Sequence, residues 1–212
     1  MLISEEERVL DRLRNRLAEG QLPGAEAQYR MAHQLRQNYG AAPADARRAG
    51  VLALLYPIEA RLHLLFIQRT SPANDRHAGQ ISFPGGSAEP ADNSPAETAL
   101  RETEEEVGVF RDSVELLGGL SDLYIPVSNF LVHPYVGFRP ERPEFKVQET
   151  EVARTLELPL QDFLHPSARQ LRDKELMGGL RLTKVPHWIV KEEAIWGATA
   201  MMVAEMLALL EQ

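Results

Sequence analysis

The order of apolar and charged segments predicts an α/β or α+β sandwich, in which helices pack on a β-sheet. Three observations support this fold class. Two short apolar runs, 51–58 and 62–68, flank a Glu-Ala dipeptide and are typical of a β-hairpin. A polar segment with helical spacing follows at 94–107, and a helix-like segment of small and apolar residues covers 198–210.

The first 45 residues are predicted to form a helical extension. Within 5–18 the apolar residues recur at the spacing of one helix face, and the tripeptide LPG ends this helix. A second helix-like segment covers 25–38, and an Ala- and Pro-rich linker follows it. We therefore divide the chain into a helical N-terminal extension, 1–45, and a domain, 46–212.

The other segments of the domain alternate between short strands and loops. A strand at 80–83 ends in the Pro-Gly-Gly of 84–86, which is expected to be a loop. The strand at 130–138 contains Pro134, which cannot donate to a strand ladder, so this strand is expected to be irregular or at a sheet edge. Further strands are predicted at 114–120, 180–185 and 188–191, the last two as a hairpin, and a polar-to-helical stretch opens at 156–160.

The composition indicates a globular, cytoplasmic protein. Its formal net charge of −8 removes the general attraction for nucleic acid and anionic membrane, so neither is expected as a partner. No apolar run approaches the ~20 residues of a transmembrane helix, and the first ten residues lack the apolar run of a signal peptide. Cysteine is absent, which excludes disulfides and thiolate metal sites.

The segment RETEEEVG at 101–108 concentrates four glutamates in five residues. At about 100° per residue, Glu106 lies about 40° and Glu105 about −60° from Glu102, so the three carboxylates share one helix face. Glu104 lies about 200° away from Glu102. The predicted core side, at about 100° to 160°, comprises Ala96, Leu100, Thr103 and Val107.

A solvated helix face is the ordinary interpretation of such a charge run, with ion pairs between Arg101 and nearby glutamates. Two features oppose it. Glu102 and Glu106 form a like-charge pair at i, i+4, and they lie in the C-terminal half of the helix, where the macrodipole disfavours anions. A hard divalent cation such as Mg²⁺ would remove both penalties, because it prefers oxygen ligands.

The segment GGSAEPADNSPAETALRETEEEVGV at 85–109 resembles the Nudix box, whose ending is Arg-Glu-hydrophobic-X-Glu-Glu-X-Gly-hydrophobic. Thr103 stands in place of the aliphatic residue of that ending. The loop before Arg101 is one residue longer than in the general box, so either Asp92 or Glu89 takes the upstream acidic position. The resemblance implies a Nudix-type α/β/α sandwich with a mixed β-sheet, preceded here by the helical extension.

Metal-dependent hydrolysis of a nucleoside diphosphate linked to another moiety is the activity that this resemblance implies. The implied ligands of Mg²⁺ or Mn²⁺ are Glu102, Glu105, Glu106 and the carbonyl of Gly86. The implied catalytic residues are Arg101, Glu102, Glu105 and Glu151. Arg101 would orient Glu102, and the general base stays open between Glu102 and a downstream glutamate, with Glu151 preferred to Glu149. A nucleotide sensor would not need the three carboxylates together, which favours catalysis.

The segment LLFIQRTSPANDRHAGQISFPGG at 64–86 resembles the signature of the coenzyme A pyrophosphatase branch of this family. Segments 126–138 and 151–160 are similar to later parts of that branch. The implied reaction splits coenzyme A or its derivatives into adenosine 3′,5′-bisphosphate and phosphopantetheine. ADP-ribose, NADH or another nucleoside diphosphate derivative is the alternative substrate, and a non-catalytic nucleotide-binding regulator is the third interpretation.

Four side chains are candidates for binding the anionic substrate: Arg69, Arg76, His77 and Gln80. A solvated or structural role is the competing interpretation for Arg76, His77 and Gln80. Trp188 and Trp196 could stack on a ligand, although core packing is the preferred interpretation of both. The expected partner is a small-molecule nucleotide substrate, and a homodimer is the assembly considered beside a monomer.

Overall fold

The computed structural model describes residues 4–36, 41–70, 79–175 and 179–211 of the chain. Its centre is an eight-stranded mixed sheet in which only β1 and β7 run parallel among the described pairs. The strands of this sheet are β1 Arg47–Ile58, β2 Arg61–Arg69, β3 Ile81–Ser82, β4 Gly85–Ser87, β5 Glu115–Gly119, β6 Leu123–Ile125, β7 Phe130–Phe138 and β8 Val152–Pro159. A three-stranded antiparallel sheet is formed by β9 Arg169–Glu175, β10 Arg181–Val190 and β11 Glu193–Trp196.

The β1–β2 hairpin opens away from its turn. The turn residues Glu59 and Ala60 both have positive φ, at 49° and 61°, as a tight two-residue hairpin turn requires. The two strands pair only through 55–58 and 61–64. Farther from the turn, β3 pairs with the end of β2 and β4 pairs with the start of β1, so the segment 81–87 fills the opening. This arrangement brings the two glycines of β4 into the sheet.

Helices cover both faces of the large sheet. The helix α3, Pro95–Val107, packs across β1 on one face, and its core contacts include Ala99 and Val107. On the other face lie α1 Glu5–Glu19, α2 Gly24–Gln28, α4 Leu160–Phe163 and α5 Gly197–Glu211. The predicted α/β sandwich with a mixed sheet is therefore confirmed. In the described part of the chain, no helix is long and apolar enough to cross a membrane.

The N-terminal helices share the core with α5. Leu10, Leu13 and Leu17 of α1 are buried in the same apolar cluster as the residues of α5. The carboxylate of Glu205 on α5 has no exposed surface. It accepts hydrogen bonds from the Gly24 N–H (3.1 Å), the Gln28 amide (2.8 Å) and the Ser121 N–H (3.1 Å). Because those donors come from α2 and the β5–β6 connection, one buried anion joins three parts of the chain.

Five local expectations differ from the structure, in whole or in part. The Pro-Gly-Gly of 84–86 is not a loop, because Gly85 and Gly86 pair with β1 as part of β4. The strand with Pro134 is internal and not at a sheet edge, but it is irregular as expected, since its pairing with β5 shifts register between Leu116 and Gly118. The Pro134 carbonyl accepts from the Leu120 N–H at 2.8 Å, in the gap between β5 and β6. A strand residue points its N and its C=O to the same side, so the missing N–H of Pro134 faces that gap and costs no ladder bond.

The small sheet and the second N-terminal helix also differ from expectation. The segments 180–185 and 188–191 do not form a hairpin, since β10 is one strand with an irregularity between Leu182 and Val185. Its hairpin partner is β11, and the charged edge strand β9 was not predicted. In the described part of the helix expected at 25–38, the structure has α2 and two short 3₁₀ turns, 29–31 and 34–36, and residues 37–38 lie outside the described ranges. The stretch at 156–160, expected to open a polar-to-helical segment, is the end of β8, and the helical part is the single-turn α4.

Candidate active site

The helix α3 is placed by its caps and by one glycine beneath it. The Ser94 hydroxyl accepts from the Glu97 N–H at 3.2 Å, Pro95 occupies the first turn, and Gly108 ends the helix at φ 75°. Gly50 of β1 lies directly under the first turn, because a Cβ there would lie 2.2 Å from the Pro95 carbonyl oxygen. The close approach of helix and strand therefore requires glycine at 50.

Glu106 is the buried carboxylate of the site. Its side chain is 3% exposed, and one of its oxygens accepts from the Gly85 N–H at 2.8 Å. Its other oxygen lies 3.8 Å from Nη1 of Arg69. Burial raises the pKa of Glu106 to about 8, although the Gly85 N–H and Arg69 both lower it. The neighbouring carboxylates of Glu102 and Glu151 raise it further.

Glu102 lies against the backbone of β4. A Cβ at Gly86 would come within 2.5 Å of the Glu102 carboxylate, so glycine at 86 provides the space for that side chain. Burial raises the pKa of Glu102, Arg101 lowers it, and the carboxylates of Glu105 and Glu151 raise it. Glu151, at the start of β8, therefore lies within electrostatic reach of both Glu102 and Glu106.

Arg101 connects Asp92 to the glutamates. Its Nε and Nη2 donate to the two Asp92 oxygens at 2.9 and 3.0 Å, and its Nη1 donates to Glu102 and Glu105, each at 3.1 Å. The Asp92 side chain is 6% exposed, and the guanidinium holds its pKa well below its usual range. Glu89 is 60% exposed and lies 4.0 Å from Arg101. Of the two residues left open for the upstream acidic position, Asp92 is thus the one that holds Arg101.

The helix face differs from the predicted one by about one residue position. Glu102 and Glu105 share Arg101, whereas Glu104 points elsewhere and pairs with Arg111 at 2.6 Å. Glu106 turns inward with the core side, on which Thr103, Val107 and the unpredicted Ala99 are buried. Two of the residues expected in the core, Ala96 and Leu100, are only partly buried. The reason is that β4 lies beside α3 and shields Glu106 from solvent.

The acidic set has the chemistry of a divalent-cation site. Carboxylate and carbonyl oxygens are the ligands that Mg²⁺ and Mn²⁺ prefer, and burial raises the pKa values of Glu102 and Glu106. Among the described residues, no three His, Asp or Glu side chains are arranged to hold a metal ion as they stand. Instead, Arg101 donates to Glu102 and Glu105, and the Gly85 N–H donates to Glu106.

The other candidate residues fall into separate groups. Arg69 lies beside Glu106. The backbone N–H of Arg69 donates to the backbone carbonyl of Gln80 at 3.0 Å, so the substrate candidates Arg69 and Gln80 are adjacent. Arg76 and His77 lie outside the described residues. The exposed Glu151 is anchored through its carbonyl, which accepts from the Thr70 N–H at 2.9 Å. Exposed Glu149 lies two residues before it.

The two tryptophans lie in the small sheet. Trp188 donates from Nε1 to the Ala200 carbonyl at 3.0 Å and packs edge-on against Phe163, which agrees with the core interpretation. Trp196 is partly buried, and the Lys174 ammonium lies 5.1 Å from its ring centroid. Sequence reasoning missed Gly50, whose isolated position within an apolar strand is the signal that could have indicated a close backbone approach.

Comparisons with known proteins identify the family. The NUDIX domain family model matches residues 46–177. An uncharacterized Nudix hydrolase NudL of Yersinia enterocolitica is 39% identical over 155 residues, which cover 73% of this chain and 78% of that protein. The corresponding NudL of Photorhabdus laumondii is 36% identical over 67% of this chain and 74% of its own length.

A solved structure shows the same fold. The MutT/nudix family protein from Enterococcus faecalis superposes with a TM-score of 0.51 and 16% identity, covering all of this chain and 76% of that one. The family model, the two relatives and the carboxylate helix lead to one assignment. The chain belongs to the Nudix hydrolases, enzymes that hydrolyse pyrophosphate bonds in nucleoside diphosphate derivatives.

Proposed function

We propose that this Nudix hydrolase cleaves the pyrophosphate bond of coenzyme A or its derivatives, with Mg²⁺ or Mn²⁺ as cofactor. The products are adenosine 3′,5′-bisphosphate and phosphopantetheine. The observation that carries the proposal is the pattern at 64–86, which resembles the coenzyme A branch and ends at the glycines against which Glu102 and Glu106 lie. Arg69 of that segment lies 3.8 Å from Glu106, which supports a role for this arginine beside the carboxylates.

The proposed metal ligands are Glu102, Glu105, Glu106 and the Gly86 carbonyl. When bound, the divalent ions would neutralise and polarise the diphosphate and lower the pKa of the attacking water. Arg101 positions two of the carboxylates, because its Nη1 donates to Glu102 and Glu105 while Asp92 holds the rest of the guanidinium.

The proposed substrate contacts and base come from the surrounding strands. Arg69 supplies a cation for charge-assisted hydrogen bonds to the diphosphate or to the 3′-phosphate of coenzyme A. Gln80, adjacent to Arg69, is proposed to contact the same ligand, together with Arg76 and His77. The proton of the attacking water passes to the carboxylate of Glu102 or of Glu151. Both lie close enough to influence the Glu106 carboxylate.

A substrate panel with product identification tests the substrate. The purified protein with Mg²⁺ or Mn²⁺ is incubated separately with coenzyme A, ADP-ribose and NADH, and the products are separated and identified by mass. We expect adenosine 3′,5′-bisphosphate and phosphopantetheine from coenzyme A at the highest kcat/KM. Hydrolysis of ADP-ribose or NADH without coenzyme A would contradict the branch assignment, and no hydrolysis of any would favour a regulator.

A pair of variants on the same helix tests the metal role. Glu106→Gln is expected to lower kcat by about a hundredfold or more, because it removes one anionic ligand next to the reacting phosphates. Glu104→Gln is the matched control, since Glu104 pairs with Arg111 away from the other carboxylates. Equal activity of the two variants would remove Glu106 from the proposed ligand set.

A further inference from the structure

A groove lies at the opposite end of the large sheet from the glutamates. It consists of two adjoining cavities of about 340 and 390 Å³, which share Arg61 and Lys191 in their lining. Arg61 begins β2, and Arg69 ends it beside Glu106. Eight residue steps of a strand span about 26 Å, so the groove is separate from the candidate active site.

Two of the carboxylates at this groove, Glu157 and Asp162, are already bound. Glu157 accepts from the Tyr56 hydroxyl at 3.0 Å and from two nitrogens of Arg142 at 2.9 and 2.7 Å. Asp162 accepts from Nη2 of Arg61 at 2.8 Å. These bonds occupy the acidic partners but use only part of each guanidinium, which has five N–H donors in total.

Unused donors remain in the lining. Among the described residues, none pairs with the ammonium of Lys191, which lies in the β10–β11 turn. The His63 ring is 6% exposed and lines the same cavity; its Nδ1 lies 2.9 Å from the Arg61 carbonyl and donates to it. Its Nε2 has no hydrogen-bond partner within the described ranges. With Nδ1 donating, Nε2 of the neutral ring is an acceptor, so His63 shapes the cavity wall and the free donors come from Lys191 and the two arginines.

The free N–H donors of the groove, and not its net charge, determine which ligands it can bind. The three cationic side chains are formally balanced by Glu157, Asp162 and the exposed Glu59 of the β1–β2 turn. Of these acids, Glu59 alone has no partner in the described structure. A ligand that supplies several acceptor oxygens therefore fits the groove better than one that supplies donors.

We propose that this groove is a second ligand site, which binds the phosphate group of a small molecule between the β1–β2 and β10–β11 turns. Lys191 and the free N–H groups of Arg61 and Arg142 donate to the phosphate oxygens, and His63 forms the buried wall. The proposal is independent of the identity of the substrate hydrolysed at α3.

Thermal unfolding of the full chain in inorganic phosphate tests the site. The protein is kept in EDTA, so that phosphate is not held through divalent ions near α3, and chloride at matched ionic strength is the reference. At phosphate of about fifty times Kd, mass action raises the Tm of a protein this size by about 5 °C. Backbone amide NMR shifts should change at 61, 63 and 191.

Matched variants locate the effect. Lys191→Asn removes the ammonium but suits the positive φ of 47° at this position, and it is expected to abolish most of the Tm rise. Lys184→Asn is the control, because Lys184 is exposed, also has positive φ (55°) and lies outside the groove lining. Equal Tm shifts in both variants, no shift in the parent protein, or NMR changes confined to 85–86 and 102–106 would overturn the proposal.

Discussion

The Asp92–Arg101 pair is expected to determine both the stability of the site and the position of its carboxylates. In Asp92→Asn, an amide replaces one of the two carboxylate oxygens that Arg101 binds at 2.9 and 3.0 Å. Hydrogen bonds to charged groups contribute about 1.5–3 kcal/mol each. With both side chains nearly buried, the loss of one such bond lowers the free energy of unfolding by about 2–3 kcal/mol.

The loss of this Asp92–Arg101 hydrogen bond can be measured in two ways. For a chain of this length, it corresponds to a Tm lower by about 5–10 °C in a thermal melt. Release of Arg101 also frees the guanidinium nitrogen that binds Glu102 and Glu105, so kcat/KM should fall about 10- to 100-fold, as for other partners that orient ligands. Because the folded-state pKa of Asp92 is depressed, its stabilisation is present above about pH 4 and is lost in stronger acid.

The control for this prediction is Glu89→Gln. Glu89 is exposed and its nearest oxygen lies 4.0 Å from Arg101, so both Tm and kcat/KM should stay near those of the parent protein. A normal Tm and normal activity for Asp92→Asn, or a larger loss for Glu89→Gln, would refute the reasoning. Either outcome would mean that a group other than Asp92 orients Arg101.

Three further predictions follow from buried groups. In EDTA, the free energy of unfolding should fall between about pH 5 and pH 8, by up to about 1.4 kcal/mol per pH unit. The reason is the raised pKa of Glu106, which lets the folded state bind one more proton than the unfolded state; melts of Glu106→Gln should lack this slope. Gly50→Ala should displace α3 from β1, lower stability by at least about 1–3 kcal/mol and reduce hydrolysis, and an unchanged melt would contradict the contact at Pro95. Glu205→Gln should lower Tm by about 5–10 °C, because it turns an amide toward buried donors; an equal effect of Glu211→Gln, at the exposed end of α5, would argue against it.

Local chemistry made the helix α3 and the first hairpin predictable. Ser94 and Pro95 specify the start of α3, and Gly108 specifies its end. Likewise, two apolar runs around a two-residue turn define β1 and β2 without reference to the rest of the chain. The fold class and the family resemblance follow from such short-range patterns.

Long-range pairing explains what the sequence could not indicate. Gly85 and Gly86 look like a loop because their strand partner, β1, is more than thirty residues away in the chain. The inward turn of Glu106 depends on the Gly85 N–H, which helix periodicity does not contain. The choice between Asp92 and Glu89 depended on which carboxylate reaches Arg101 after folding. These outcomes required the assembled sheet.

The hydrogen bonds of buried Glu205 reach residues that precede the segment matched by the family model. The family model begins at residue 46, so a fragment 46–212, cut where that match begins, would keep α3 and α5 but lack α1 and α2. In such a fragment, Glu205 would lose its donors from Gly24 and Gln28, and the apolar side of α5 would lose its cover. We expect the fragment to aggregate, which makes the first 36 residues a requirement for solubility whatever part they take in catalysis.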